Sequence, residues 1–492
     1  MTETRESAIP IQRVPAWGRV ARAAAGRAHR ARRAGTGWLA ESAPHIGLAV
    51  MFLGAYSLLA LVRYDRFGSP SWDLGIFTEA VKGYAHLKAP IVSIKGPGFN
   101  ELGDHWSPIL AVLAPFYWLV PSAATLLVAQ AALFAWSVGV VSDTAERVLG
   151  STTSGMLIGI GYGLSWGLQR AIDAEFHEIA FAVPLLALVC RYLLLRDWDR
   201  AAWWALPLVL VKEDLGLTAA ALGVVLVLRA RRWYSGAVLV VFGVAFTALT
   251  MLVLVPHFNP THQFDYWSKL PGGTHPKLWQ VISGPFTRLT VWKTVGWLFG
   301  IVGFLALRSP LVVLALPTLA WRFGSSNPMF WGPDWHYNAT LMPILFLAMV
   351  DAIARIRAAE HSALKGYAEG LVPAVPAIAV ACMVSLPVGL GGLTDPGAWS
   401  GGTHAQALRA AIGRIPADVT VESSIAPLAR LAARDDAYWL GGSKVAPQYL
   451  CVDTLGWQGG PTDLPGYAAA LHPGAHYAVV FSADQVTVLR RL

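Results

Sequence analysis

Apolar runs of near-bilayer length recur from Ile46 to Leu390, most of them ending at a short charged cluster, and this repetition limits the possible folds more than any single motif does. A helix needs roughly 20 apolar residues to cross a hydrocarbon core, and excess Lys and Arg marks its cytoplasmic end, so the runs can be placed and oriented together. Only 14% of the residues are charged and 55% are hydrophobic, against about a quarter charged in soluble chains, so the class is a polytopic, all-α membrane protein.

The net charge of +8 is concentrated at the start, where Arg5, Arg13, Arg19, Arg22, Arg27, Arg30, Arg32 and Arg33 face only Glu3 and Glu6. Beside a first span this reads as a cytoplasmic tail, residues 1–44, near anionic lipid rather than a nucleic-acid arm. No small-residue cleavage pattern follows the first run, so a removed signal peptide is not expected. Cys190 and Cys382 sit in apolar runs and Cys451 stands alone, which suggests neither a disulfide framework nor a thiolate metal site.

With the tail inside, the first run rises outward and the polar stretch 64–108 is extracytoplasmic. Ile109 to Val120 is too short to cross and reads as a re-entrant or interfacial segment. Tracing the basic clusters onward gives about eleven spans in residues 45–392, a multi-pass plasma-membrane protein with its C-terminus outside. One stretch, AAWWALPLVLVKEDLGLTAAALGVVLVLRARRW, has basic residues at both ends and must be a hairpin of two short helices with Lys212, Glu213 and Asp214 at the tip. Beyond a Gly- and Pro-containing linker, 393–402, alternating strands and two short helices predict a small extracytoplasmic α/β domain over 403–492.

The chemistry collects in the outer loops. In SPSWDLGIF, Ser69 and Pro70 can open a helix that carries Asp73 near its N-terminus, where an acid is favoured; Trp72 and Phe77 would flank that carboxylate as walls suited to a sugar ring. In GDHWSP, Asp104 and His105 can share a proton, hold a divalent cation such as Mg or Mn, or simply cap the next helix. Arg170, His177 and Glu178 lie in QRAIDAEFHE at a span boundary, where an interfacial belt of charge is the plain alternative. The KED tip is costly in hydrocarbon, about 2.5–3.5 kcal/mol per charge, and so must face a wet cavity or close an ion pair. His336 and Tyr337, in PDWHYNA, open a later span and are equally readable as interface aromatics.

In this order along the chain, WDLGIF, GDHWSP, FHE, KEDLGL and HYNA resemble the DUF2079 family of predicted membrane proteins. That family looks like the GT-C superfamily of glycosyltransferases, which use polyprenyl-phosphate sugars and carry a catalytic acid in the first extracytoplasmic loop. The resemblance implies Asp73 as the acid, with Asp104 and His105 next and a divalent cation at that pair. It implies Lys212, Arg170 and His177 toward the donor phosphate, supported by Glu178, Glu213, Asp214, Trp72, His336 and Tyr337. The implied reaction is inverting transfer to an envelope glycan or protein. The chain departs from better-studied branches in having WDLGIF where they carry paired acids. Two other readings stand beside it: a transporter or flippase coupled through the Lys/Glu/Asp tip, and a non-catalytic envelope assembly protein.

Overall fold

The computed structural model describes residues 42–68, 71–273, 275, 277–359, 363–386 and 389–492. Most of the basic tail and the expected Ser69/Pro70 helix start lie outside these residues. Among the described residues five helices are long and apolar enough to cross a membrane: Ser42–Asp65, Ala123–Leu149, Trp233–Phe258, His336–Ala358 and Lys365–Ser385. His336–Ala358 is almost wholly buried and forms the centre, because nearly every side chain from Leu341 to Ile353 is apolar and the helix offers no polar face to the outside. The other four are buried over little more than half their apolar length or less.

Where about eleven spans are expected, the remaining apolar runs are short or broken. Pro108–Leu119, Leu215–Ala230 and Pro310–Gly324 are shorter apolar helices. The first is a 3-10 turn, Pro108–Leu113, continued by Ala114–Leu119. It exposes Phe116, Trp118 and Leu119, as a segment lying in an interface would. The expected KED hairpin is there in broken form: Trp198–Ala205 runs into a 3-10 turn, Leu206–Leu210, and helix begins again only at Leu215. Lys212, Glu213 and Asp214 therefore sit in the break. Gly223 and Gly236 let Leu215–Ala230 pack tightly on Trp233–Leu249, since a Cβ on Gly223 would meet the Gly236 carbonyl oxygen at 2.5 Å. That seam fixes where the broken segment points.

The C-terminal part is a five-stranded sheet of β1 (Thr420–Ser423), β2 (Asp436–Trp439), β3 (Tyr449–Asp453), β4 (Tyr477–Ala483) and β5 (Val486–Arg491). Its order is β2-β1-β3-β5-β4, with β1 parallel to both neighbours and β5 antiparallel to both of its own. Each strand lies within a stretch marked by the alternation, and the helices Ile425–Ala432 and Leu464–Leu471 fall where expected; Gly402–Gly413, beside the linker, is a helix that the alternation does not signal.

This sheet docks on the helix Trp72–Ala85 of the 64–108 stretch. Ile425–Ala432 ends with orphan carbonyls that need donors. Lys82 Nζ donates to the Ala432 and Asp435 carbonyls at 2.6 and 2.7 Å, and the Tyr117 hydroxyl to that of Ala433 at 2.8 Å. Trp72 and Trp439 meet edge to face with ring centroids 5.1 Å apart. Glu79 is buried at the same joint, its Oε2 accepting the Ile94 N–H at 3.1 Å. Burial pushes that carboxyl up from 4.5 to about 8, against the opposing pull of Lys82.

Candidate active site

A cavity of about 330 Å³ lies between the docked loop, the KED break and the start of the central helix. Its walls include Trp72 and Asp73 from the first helix after the opening span, Asp104 and His105 from the same polar stretch, and His177 and Glu178. The KED residues Lys212, Glu213 and Asp214, with His336 and Tyr337, complete them. Five segments far apart in sequence thus meet at one place. Among the residues the sequence singles out, only Arg170 is not on the wall: it turns toward Asp334, 3.5 Å away, because its short helix Trp166–Asp173 buries the opposite side.

Asp73 differs from every other acid here. Its side chain is 48% exposed into the cavity, whereas those of Glu178 and Glu213 are 1% and 5% exposed and committed to ion pairs. Behind it His177 Nε2 lies 3.3 Å from Asp73 Oδ2, and His177 Nδ1 lies 3.2 Å from the Glu175 carbonyl oxygen. With Nδ1 turned to a carbonyl oxygen, the ring is oriented so that Nε2 can donate to the Asp73 carboxylate. The His177 ring is stacked on that of His336 at 3.5 Å and packs edge-on against Phe77, which fixes its plane. Burial alone would raise the Asp73 carboxyl, but the hydrogen bond and charge of His177, then Lys95 and His105, hold it below its ordinary value. It is an ionised carboxylate, positioned by a histidine and open on one side.

Most of the other charges are paired with one another; Asp214 is the exception among the buried acids of the KED break, its Oδ1 having no hydrogen-bond partner among the described residues. Lys95 bonds Asp104 and also Glu101 Oε2, the latter at 2.9 Å. Burial pushes the Asp104 carboxyl up, yet His105 and Lys95 beside it bring it well below the usual carboxylate range. Burial carries Glu101 in the other direction, to about 7, despite Lys95. His105 Nδ1 lies 3.0 Å from Glu213 Oε1 and its Nε2 2.7 Å from the Tyr266 hydroxyl. Burial and Lys212 push this imidazole down, but Glu213 and Asp104 outweigh them and raise it to about 9. Lys212 Nζ donates to Glu178 Oε1 at 2.6 Å in a pair almost closed to water.

Two expectations change with this geometry. Both nitrogens of His105 and the Asp104 carboxylate already have protein partners, and among the described residues no group of three His, Cys, Asp or Glu is placed to hold an ion. The pair does not fit a divalent cation as it stands; it is part of a salt-bridge chain. Lys212, spent on Glu178, is likewise not a bare cation facing the cavity. The wall instead carries Lys269, exposed and without an ion-pair partner among the described residues. Nothing in SKLPGG sets this lysine apart from an ordinary loop residue. Lys95 had a signal: a polar stretch with buried acids needs a local cation, and Lys95 lies six residues before Glu101.

No curated protein matches the sequence. Among solved structures the chain is similar to the crystal structure of ArnT from Cupriavidus metallidurans in the apo state, at 15% identity and a TM-score of 0.44, over 93% of this chain and 98% of that one. The family model described as predicted membrane protein, DUF2079, matches residues 63–450, a span that runs from the end of the first long helix through all five wall segments into β3, and the chain belongs to that family.

Proposed function

We propose that the protein is an integral-membrane glycosyltransferase that moves a sugar from a polyprenyl-phosphate donor to an extracytoplasmic acceptor, an envelope glycan or protein, with inversion. The observation that carries this reading is one open carboxylate: Asp73 faces a cavity among membrane helices, while the acids Glu178, Glu213 and Asp214 on the same wall are buried. A site built for moving ions through the Lys/Glu/Asp break would leave Lys212 and Glu213 free to titrate. Here Lys212 is held by Glu178 and Glu213 by His105.

In the proposed reaction the acceptor hydroxyl lies against Asp73. As its oxygen bonds to the anomeric carbon, its proton passes to the Asp73 carboxylate, and the bond from that carbon to the phosphate oxygen breaks to leave polyprenyl phosphate. A base so placed contributes roughly 10²–10⁴-fold in rate. His177 holds the carboxylate in its ionised form and orientation. Lys269 is assigned to the departing phosphate, and the ion pairs Lys212–Glu178 and His105–Glu213 hold the wall behind it in place. On the positive-inside reading of the basic clusters the cavity opens at the outer leaflet, and the proposed lipid-linked donor enters there sideways. No step is routed through a metal ion.

The test is purified protein in nanodiscs, given radiolabelled polyprenyl-phosphate pentoses and hexoses and an envelope extract as acceptor. Label should move to the acceptor with the opposite anomeric configuration. Failure with every donor, together with coupled ion flux in proteoliposomes, overturns the reading in favour of transport.

A further inference from the structure

Two more hollows continue from the cavity onto the C-terminal sheet. The first, about 430 Å³, shares Trp72, Lys95 and Asp104 with the cavity and is closed on its other side by Phe99 and Trp439. The second, about 470 Å³, shares Trp439 and is walled by Ser424, Asp453, Trp457 and Tyr467. Each falls within the roughly 300–1,000 Å³ typical of ligand sites.

The position of the second hollow has a topological cause. From β1 the chain pairs β2 on one side and β3 on the other, all parallel. The connection from β1 runs to β2 on one side and that from β3 runs to β4 on the other, so the two diverge and a crevice opens between the carboxyl ends of β1 and β3. Ser424 follows β1, Trp439 ends β2 and Asp453 ends β3. All three line the hollow.

We infer that this row of hollows is the acceptor track, and that its occupant is a carbohydrate chain whose growing end reaches Asp73. The inference rests on the transferase reading and names the acceptor class for it. Trp72, Trp439 and Trp457 present aromatic surface at successive steps from the cavity, and Trp72 touches Trp439 while Trp457 meets Tyr467 at 5.7 Å. The C–H faces of sugar rings pack on such rings, and their hydroxyls need acceptors at the edge. Asp453 offers these: its oxygens take His404 Nε2 at 3.2 Å and the Leu455 N–H at 2.9 Å, which leaves lone pairs toward the crevice. A proline-rich peptide also suits aromatic grooves, but it has few donors for a carboxylate. Three hollows in a row suit several rings rather than one.

The experiment uses the full chain in nanodiscs and the hexasaccharides of arabinan, galactan and mannan as probes, followed by saturation-transfer NMR and calorimetry. At least one hexasaccharide should bind at millimolar concentration or below, with its monosaccharide far weaker. Trp457→Ala should weaken it by about tenfold, as loss of one aromatic anchor does. Trp457→Phe, which keeps a ring, should retain most of the binding, and Trp399→Ala, on the exposed linker turn, should change nothing. Absence of binding by all three probes, binding that ignores Trp457, or Trp457-dependent binding of a decaproline peptide instead would overturn the inference. Asp73→Asn separates the two proposals. Hexasaccharide binding that persists in this variant while transfer stops supports both; indifference to Trp457 sinks the track alone, and full transfer by Asp73→Asn sinks the base alone.

Discussion

Replacing Lys212 by Met tests whether this lysine is a structural partner or a ligand for donor phosphate. Its ammonium lies 2.6 Å from Glu178 Oε1, with side-chain exposures of 11% and 1%, so water cannot take over when the partner is removed. Met fills the lysine's volume but leaves a carboxylate buried without its cation. Breaking a buried pair in this way costs about 3–5 kcal/mol, whereas replacing both members by neutral residues of similar shape is close to neutral. Lys212→Met should therefore lose about 3–5 kcal/mol in unfolding from mixed micelles. The double variant Lys212→Met/Glu178→Gln should recover most of it. The exposed pair Arg409 and Asp65, at 39% and 68%, serves as control: Arg409→Gln should shift stability by less than about 1 kcal/mol. A Lys212→Met protein that unfolds like the wild type but no longer binds donor would refute the reasoning and return Lys212 to the phosphate.

Glu79 makes stability depend on pH. Its folded value of about 8 exceeds the ordinary 4.5, so between those limits the folded chain holds a proton that the unfolded chain has released. Stability is highest at and below pH 4.5 for this group and falls as pH rises to 8, at most about 1.4 kcal/mol per unit; Glu79→Gln should reduce the slope of a melting-temperature profile across that window, leaving the share of Glu101 and His105, whose folded values are also raised, and an unchanged slope would show that Glu79 is ionised throughout. Lys269→Gln should raise the KM for donor about tenfold with kcat little changed, the loss expected for one charge-assisted contact at an exposed position; an unchanged KM removes it from the phosphate site. Gly223→Val should destabilise by about 1–3 kcal/mol through overpacking against Gly236, read in the same micelle unfolding, and a neutral result would mean the helix pair is free to separate.

The residues that could be read from sequence are those whose chemistry conflicts with their surroundings. Lys212, Glu213 and Asp214 stand out because three charges between apolar runs need a cavity or partners, and both are present. Asp73, His177 and His336 are marked by the short motifs around them. What sequence could not settle is pairing. Asp104 and His105 look like a metal pair until Lys95, Glu213 and Tyr266 occupy their polar atoms, and Arg170 has the same chemistry as a phosphate ligand but lies on the wrong side of its helix. Span count is not legible from hydropathy for a related reason: hydropathy cannot show that an apolar run is cut by a 3-10 turn, as at Leu206–Leu210. The strands of the C-terminal sheet were legible from their alternation, but its docking on Trp72–Ala85 depends on contacts such as Lys82 with Ala432 that span 350 residues.

The most direct measurement is single-turnover sugar transfer by the Asp73→Asn protein, with donor binding measured in the same preparation. Asn keeps the shape of Asp but cannot take up the acceptor's proton. The account predicts donor binding close to wild type and a transfer rate lower by about 10²–10⁴-fold. Transfer at the wild-type rate would contradict it, because the open carboxylate of this cavity would then have no part in the chemistry.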